Sequence, residues 1–182
     1  MKLPDHTLTT VIKEAVLGNS NARAHLYEQY NKAMFNVCTR MMKNQQDAED
    51  VLQEAFIIAF DRLHQLKDPE SFGGWLRRIV VNECIHFGRK NFVTIEWNEE
   101  MENVGEDNEE WWTAVTPEML HNEIKTLPEG CRQIFVLYVM EDYTHKDIAA
   151  NLGVSESTSK SQYQRAKQLL RQRITQQLKT HG

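Results

Sequence analysis

Cysteine is scarce in this chain: Cys38, Cys84 and Cys131 are its three, far apart and never in a CxxC pair. That spacing excludes a zinc knuckle and a disulfide framework, and leaves them as buried or half-buried thiols. The seven histidines form no HExxH or other cluster, so no metal site is expected. A glycine-rich phosphate loop and a Ser nucleophile elbow are also missing, and with them any case for an enzyme or a cofactor. No apolar run is long enough to span a bilayer, and Met1–Asn19 lacks the uninterrupted apolar core of a signal peptide, so the expected location is the cytoplasm. Glycine and proline are few, at 8 and 4 of 182 residues, and there are no low-complexity tracts or visible repeats.

What remains is the composition of a soluble helical protein, 41% hydrophobic and 26% charged. The net charge of -5 is unevenly spread: residues 1–90 hold 12 Lys+Arg against 11 Asp+Glu, residues 91–127 hold 1 against 10, and residues 128–182 hold 8 against 5. Such a run of acids repels itself and packs poorly, which favours an extended connector. The predicted fold class is therefore all-α, with two small helical domains joined by an acidic linker. Trp97, Trp111 and Trp112 lie in that linker. They either cover the end of a neighbouring helix or hold the two domains together when no partner is present.

Residues Tyr143 to Arg173 read as a helix, a tight turn and a second helix with chemically opposite faces. At 100° per residue, Ser159, Tyr163, Ala166, Leu170 and Ile174 form one stripe, while Ser157, Lys160, Ser161, Gln164, Gln168 and Arg171 fall opposite it. Ile148, Ala149 and Leu152 give the shorter helix its inner face, Gly153 can turn with φ > 0, and Ser155 can cap the next helix. This is a helix-turn-helix pattern. An ordinary helical hairpin would show the same glycine and stripes, but its solvated face would alternate Glu with Lys. Here the outward side chains are of the kinds that bond base edges and phosphates.

In the first domain, helical spacing at 8–17 and 22–43 places Leu26, Tyr30, Met34, Val37, Cys38 and Met41 on an inner stripe. A third helix is predicted from Asp47 to about Leu66, with Ala48, Leu52, Ala55, Phe56, Ala59 and Leu63 inward and Asp47, Asp50, Glu54 and Asp61 opposite. Val51, Ile57 and Ile58 stand beside those acids, a mixture that suits docking by a basic, partly apolar partner. Three carboxylates on one helix without a second cluster make a poor cation cage. A fourth helix is predicted after Ser71, with Trp75, Leu76, Ile79, Val80 and Phe87 supplying most of its apolar surface. Arg78, Asn82, His86 and Arg89 recur on its other side, flanked by Trp75 and followed by Lys90, a combination of charge, amide and ring that suits a nucleic-acid strand.

In this order, DAEDVLQEAF, SFGGWLRRIVVNECIHFGRK and LPEGCRQIFVLYVMEDYTHKDIAANLGVSESTSKSQYQRAK resemble the extracytoplasmic-function (ECF) sigma factors of bacterial RNA polymerase, in the two-domain form of the sigma-70 family. The resemblance covers nearly the whole chain and implies a sigma region 2-like domain at residues 1–92, an acidic linker at 93–116 and a sigma region 4-like helix-turn-helix domain at 117–182. It implies a promoter-specificity subunit that binds core RNA polymerase, recognises minus-10 and minus-35 promoter elements and assists strand opening. It also implies a partner for each surface. Asp47, Asp50, Val51, Gln53, Glu54 and Ile57 match the segment that grips the clamp helices of the polymerase. Arg77, Arg78, Asn82, His86, Arg89 and Lys90 match the part that meets the minus-10 element. Lys160, Ser161, Gln164 and Arg165 match residues on minus-35 base edges or nearby phosphates, with Ser157, Thr158 and Arg171 holding the backbone. The helix from Pro128 to Met140, with Cys131, Phe135 and Tyr138, matches the segment that approaches the polymerase flap, and a core role for it is equally open. An anti-sigma factor, commonly membrane-anchored, is a further implied partner.

Two positions depart from the family pattern: Ser159 and Gln162 stand where an apolar residue and an arginine are frequent. The expectation is a less tightly packed recognition helix with one phosphate contact fewer. The alternative reading is a stand-alone helix-turn-helix transcriptional regulator with an N-terminal sensing or dimerisation domain. A third is a helical adaptor that binds only protein.

Overall fold

The computed structural model describes residues 7–91 and 115–180, with the side chains of Lys90, Asn91 and Thr180 outside the description. The linker tryptophans Trp97, Trp111 and Trp112, and all of the acidic segment before residue 115, lie outside the described residues. The chain divides into two compact units, Met1–Lys90 and Asn91–Gly182. Among the described residues every regular element is helical. No helix among them is long and apolar enough to cross a membrane.

The first unit comprises α1 (Leu8–Val16), α2 (Ser20–Met41), α3 (Gln45–Arg62) and α4 (Phe72–Asn91), with 3-10 turns at Leu63–Gln65 and Pro69–Ser71. Asparagine starts both central helices. The Asn19 side chain accepts from the backbone N–H groups of Asn21 and Ala22, and that of Asn44 accepts from Asp47 N–H at 2.8 Å. These caps satisfy donors that a helix start leaves without intrahelical partners. They also begin α2 two residues earlier than spacing alone suggests. The predicted run of α3 to Leu66 is too long: after Arg62 the backbone tightens into the 3-10 turn.

All six residues of the expected α3 core stripe are buried, as are Leu26, Met34, Val37, Cys38 and Met41 on α2. The core closes through Phe72, Leu76, Val80, Val81, Cys84 and Ile85 of α4. This corrects the expected α4 face, because Trp75, Ile79 and Phe87 are only half-buried. Tyr30 meets Phe72 edge-on at 5.0 Å. A Cβ at Gly73 would stand 3.1 Å from the Tyr30 ring, so glycine at that position is what lets α2 and α4 approach.

The second unit comprises α5 (Pro117–Thr126), α6 (Glu129–Val139), α7 (His145–Leu152) and α8 (Glu156–Thr180). Helix α5 is an addition to the sequence reading. Its start has the Thr-Pro form, with Thr116 Oγ1 accepting from Met119 N–H and Pro117 in the first turn. Helices α5, α6 and α7 each pack on α8. At 1.5 Å per residue, the 25-residue α8 is about 37 Å long and forms the axis of the unit. Its apolar stripe, Ala166, Leu170 and Ile174, is buried, as are Ile124 of α5, Ile134, Phe135 and Leu137 of α6 and Ile148 of α7. Near its C-terminal end Arg173 donates to Thr126 Oγ1 and Gln177 to Glu123 Oε1, which tie α8 back to α5.

Candidate nucleic-acid and polymerase interfaces

The turn between α7 and α8 is built from local chemistry. Thr144 Oγ1 accepts from Asp147 N–H at 3.1 Å to start α7, Gly153 ends it at φ 71°, and Ser155 Oγ accepts from Thr158 N–H at 2.9 Å to start α8. Ser157, Lys160 and Gln164 are exposed on α8, and Ser161, Arg165, Gln168 and Arg171 are half-buried. Lys160 Nζ lies 2.7 Å from Glu156 Oε1. Thr158 departs from the expectation that it holds the DNA backbone. It is 8% exposed and its hydroxyl bonds Ser155 Oγ at 2.7 Å, which withdraws the side chain from the surface.

Ser159 and Gln162 are buried, at 0% and 5% exposure, and each has a polar partner on another helix. Ser159 Oγ pairs with His145 Nδ1 at 2.9 Å, and Gln162 Oε1 accepts from Cys131 Sγ at 3.0 Å. The expected loosening of α8 is therefore replaced by two polar pins. Gln162 faces α6 and takes no place on the DNA side. Burial pushes the Cys131 thiol up to about 11, against smaller lowering by the Arg165 charge, so it stays protonated and able to donate. His145 stacks on Tyr138 at 4.3 Å and meets Tyr163 edge-on at 5.6 Å. Its pKa is lowered, first by burial and second by the Lys160 charge, with Glu156 pulling the other way. Cys131 and Phe135 are buried on α6, whereas Tyr138 and Val139 stay partly exposed, at 38% and 43%. Core roles thus account for the first two.

On α4, Arg77, Arg78, Asn82, His86 and Arg89 are all exposed, and Trp75 is half-buried with its ring 6.1 Å from Phe72. The Lys90 side chain lies outside the described residues. On α3, Asp50, Gln53, Glu54 and Ile57 are exposed, Ile57 at 56%. Two members of the expected docking strip are otherwise engaged. Val51 is 4% exposed and belongs to the core, and Asp47 is half-buried and accepts from Asn44 Nδ2 at 2.8 Å. An open hollow between α3 and α4 is lined by Asp50, Val51, Glu54, Glu83, His86 and Phe87. The surfaces read as separate therefore meet, with His86 of the α4 stripe facing the acids of α3. Glu83 was missed in the sequence. Its position three residues before His86, on the same side of α4, was the available signal.

Two family models match this chain: sigma-70 region 2 over residues 26–91 and sigma-70 region 4 over residues 118–170. Alongside them, the ECF RNA polymerase sigma factor SigW of Bacillus subtilis is 26% identical over 178 residues, covering 90% of this chain and 94% of that protein. The chain belongs to the ECF sigma factors. This ECF sigma factor is a promoter-specificity subunit of RNA polymerase, a transcription-initiation factor that binds DNA. It is 31% identical to SigE of Mycolicibacterium smegmatis over 157 residues, which cover 80% of this chain and 59% of that relative. A solved structure of the sigma factor RpoE in complex with the anti-sigma factor NepR, from Bartonella quintana, is similar at 19% identity, 84% coverage of this chain, 96% of that one and a TM-score of 0.49. Helices α3 and α4 of this sigma factor fall in the region 2 match, and the α7–α8 turn falls in the region 4 match, with Arg171–Thr180 continuing past it.

Proposed function

We propose that the exposed face of α8 reads the minus-35 element through Lys160, Ser161, Gln164 and Arg165, with Ser157 and Arg171 on the backbone. The α4 file of Arg77, Arg78, Asn82, His86, Arg89 and Lys90 meets the minus-10 element and holds the opened strand. Asp50, Gln53, Glu54 and Ile57, steadied by Asp47 and Val51 beneath them, dock on the polymerase clamp helices, and exposed Tyr138 and Val139 approach the flap. The domains have the bounds 1–92 and 117–182, joined by the acidic linker 93–116. The protein works in the cytoplasm and carries out no covalent chemistry. An anti-sigma factor of the commonly membrane-anchored type holds it inactive.

The observation that carries this reading is the presence of two exposed donor-rich faces, on α4 and α8, in two separate helical units of one chain. Residues 1–90 hold 12 Lys+Arg against 11 Asp+Glu and residues 128–182 hold 8 against 5, so neither face supplies strong phosphate affinity alone. Holding both on one polymerase raises the effective concentration of the second after the first engages. Free protein is therefore expected to bind promoter DNA poorly in a gel-shift assay, and run-off transcription is expected only when core polymerase is added. Replacing Lys160 and Arg165 together by Ala should lower that transcription by at least about tenfold. Tight sequence-specific binding by the free chain, or protection of a palindromic operator by a dimer, would contradict the proposal.

A further inference from the structure

Glu156 is the only acid on α8, a helix that carries Lys160, Arg165, Lys167, Arg171, Arg173 and Lys179. It stands at the first residue of the helix, the end that in helix-turn-helix proteins meets base edges. A carboxylate there is repelled by phosphates. Capping does not require it, because Ser155 already accepts from Thr158 N–H. Its carboxylate is held below the usual range chiefly by the hydrogen bond and charge of Lys160, with smaller help from His145 and Lys146, so at neutral pH it is an acceptor only. Both members of the 2.7 Å pair remain exposed, at 60% for the Lys160 side chain and 50% for that of Glu156. The pair borders an open hollow whose wall includes His145, itself stacked on Tyr138 and pinned to Ser159.

An acceptor and a donor held side by side match one base pair better than the other. In the major groove a G·C pair presents two guanine acceptors, N7 and O6, next to the cytosine N4 donor. Lys160 can donate to the guanine while Glu156 accepts from the cytosine, and the two keep their own bond. An A·T pair puts the adenine N6 donor where guanine has O6, so a lysine held at that central position meets an amino group; a pair shifted onto adenine N7 and N6 would select A·T instead, which is the outcome that opposes this assignment. We propose that Glu156 is a specificity-determining residue, which reads one G·C pair of the minus-35 element jointly with Lys160. This rests on the assignment of α8 to that element.

The test is run-off transcription by core polymerase with the full chain, on a promoter library randomised across the upstream element. Wild type, Glu156→Gln, Glu156→Asp, Lys160→Ala and the distant charge control Glu118→Gln are compared, with thermal unfolding of each. The wild type should select G·C at one position. Glu156→Gln and Lys160→Ala should relax that same position by roughly tenfold and leave the preferences at other positions in place. Glu156→Asp, which keeps the charge but withdraws the acceptor, should relax it too, and Glu118→Gln should retain the wild-type preference. A preference pattern in Glu156→Gln equal to that of the wild type, or altered evenly at all positions, overturns the inference alone. A wild type with no upstream preference overturns the α8 assignment as well.

Discussion

Ser159 and Gln162 show how a polar residue can be the better core residue when a neighbour is placed to meet it. A buried hydroxyl or amide without a partner costs about 1–3 kcal/mol, whereas a paired one is close to neutral. Ser159→Ala leaves His145 Nδ1 without its bond, and the second unit should lose about 1 kcal/mol in urea denaturation. Adding His145→Phe, which removes the other partner, should restore part of that loss. The same imidazole confers a pH dependence. Its pKa in the folded protein lies below the ordinary 6.5, so the unfolded chain binds the proton more readily. Stability from this group is complete above 6.5 and declines as pH falls through 6.5 towards the lowered value. Melting curves recorded from pH 7.5 to 5.5 should show a steeper fall for wild type than for His145→Gln.

Within the elements, caps and one left-handed residue set the helix ends more sharply than the apolar stripes do. Gly153 closes α7 at φ 71° with its N–H on Ala149 O, a conformation an L side chain adopts with strain although the space around it is open. Gly153→Ala should therefore destabilise the second unit by about 1–2 kcal/mol, measured by thermal unfolding, without changing which face of α8 is exposed. Helix α8 receives its register from two sides, since His145 on α7 and Cys131 on α6 each hold one of its polar residues. A rotation by one residue would orphan both pairs, whereas an apolar stripe alone would tolerate small shifts. That register is what keeps Lys160 and Gln164 outward.

Taken whole, the molecule sets an acidic, partly apolar surface and a basic one on the same unit, and a second basic surface on the other. Ile57 is the large apolar side chain left most open on α3, with Asp50, Gln53 and Glu54 exposed beside it. An exposed isoleucine among acids contributes little to the fold and suits the centre of a small interface. Ile57→Glu should leave the melting temperature within about 1–2 °C of wild type, because surface substitutions of this kind rarely exceed 0.5 kcal/mol. It should weaken co-purification with core polymerase by at least about tenfold. Retained co-purification would move the docking surface elsewhere.

Much of this architecture was legible from the chain alone, because helix periodicity, caps and the Gly153 turn are local signals. Leu26, Ala55, Leu170 and Ile174 were assignable to the core from spacing, and Gly153 and Ser155 from their residue types. The roles of Thr158, Ser159, Gln162 and Val51 were not. Angular position on a helix says which residues share a face but not what the neighbouring helix presents to them. The Cys131–Gln162 bond joins residues 31 apart, and the hollow that unites Asp50 and Glu54 with Glu83 and His86 exists only once α3 and α4 pack. Partners within one helix could be read from sequence; partners across helices were set by packing, which lies beyond the reach of any short-range pattern.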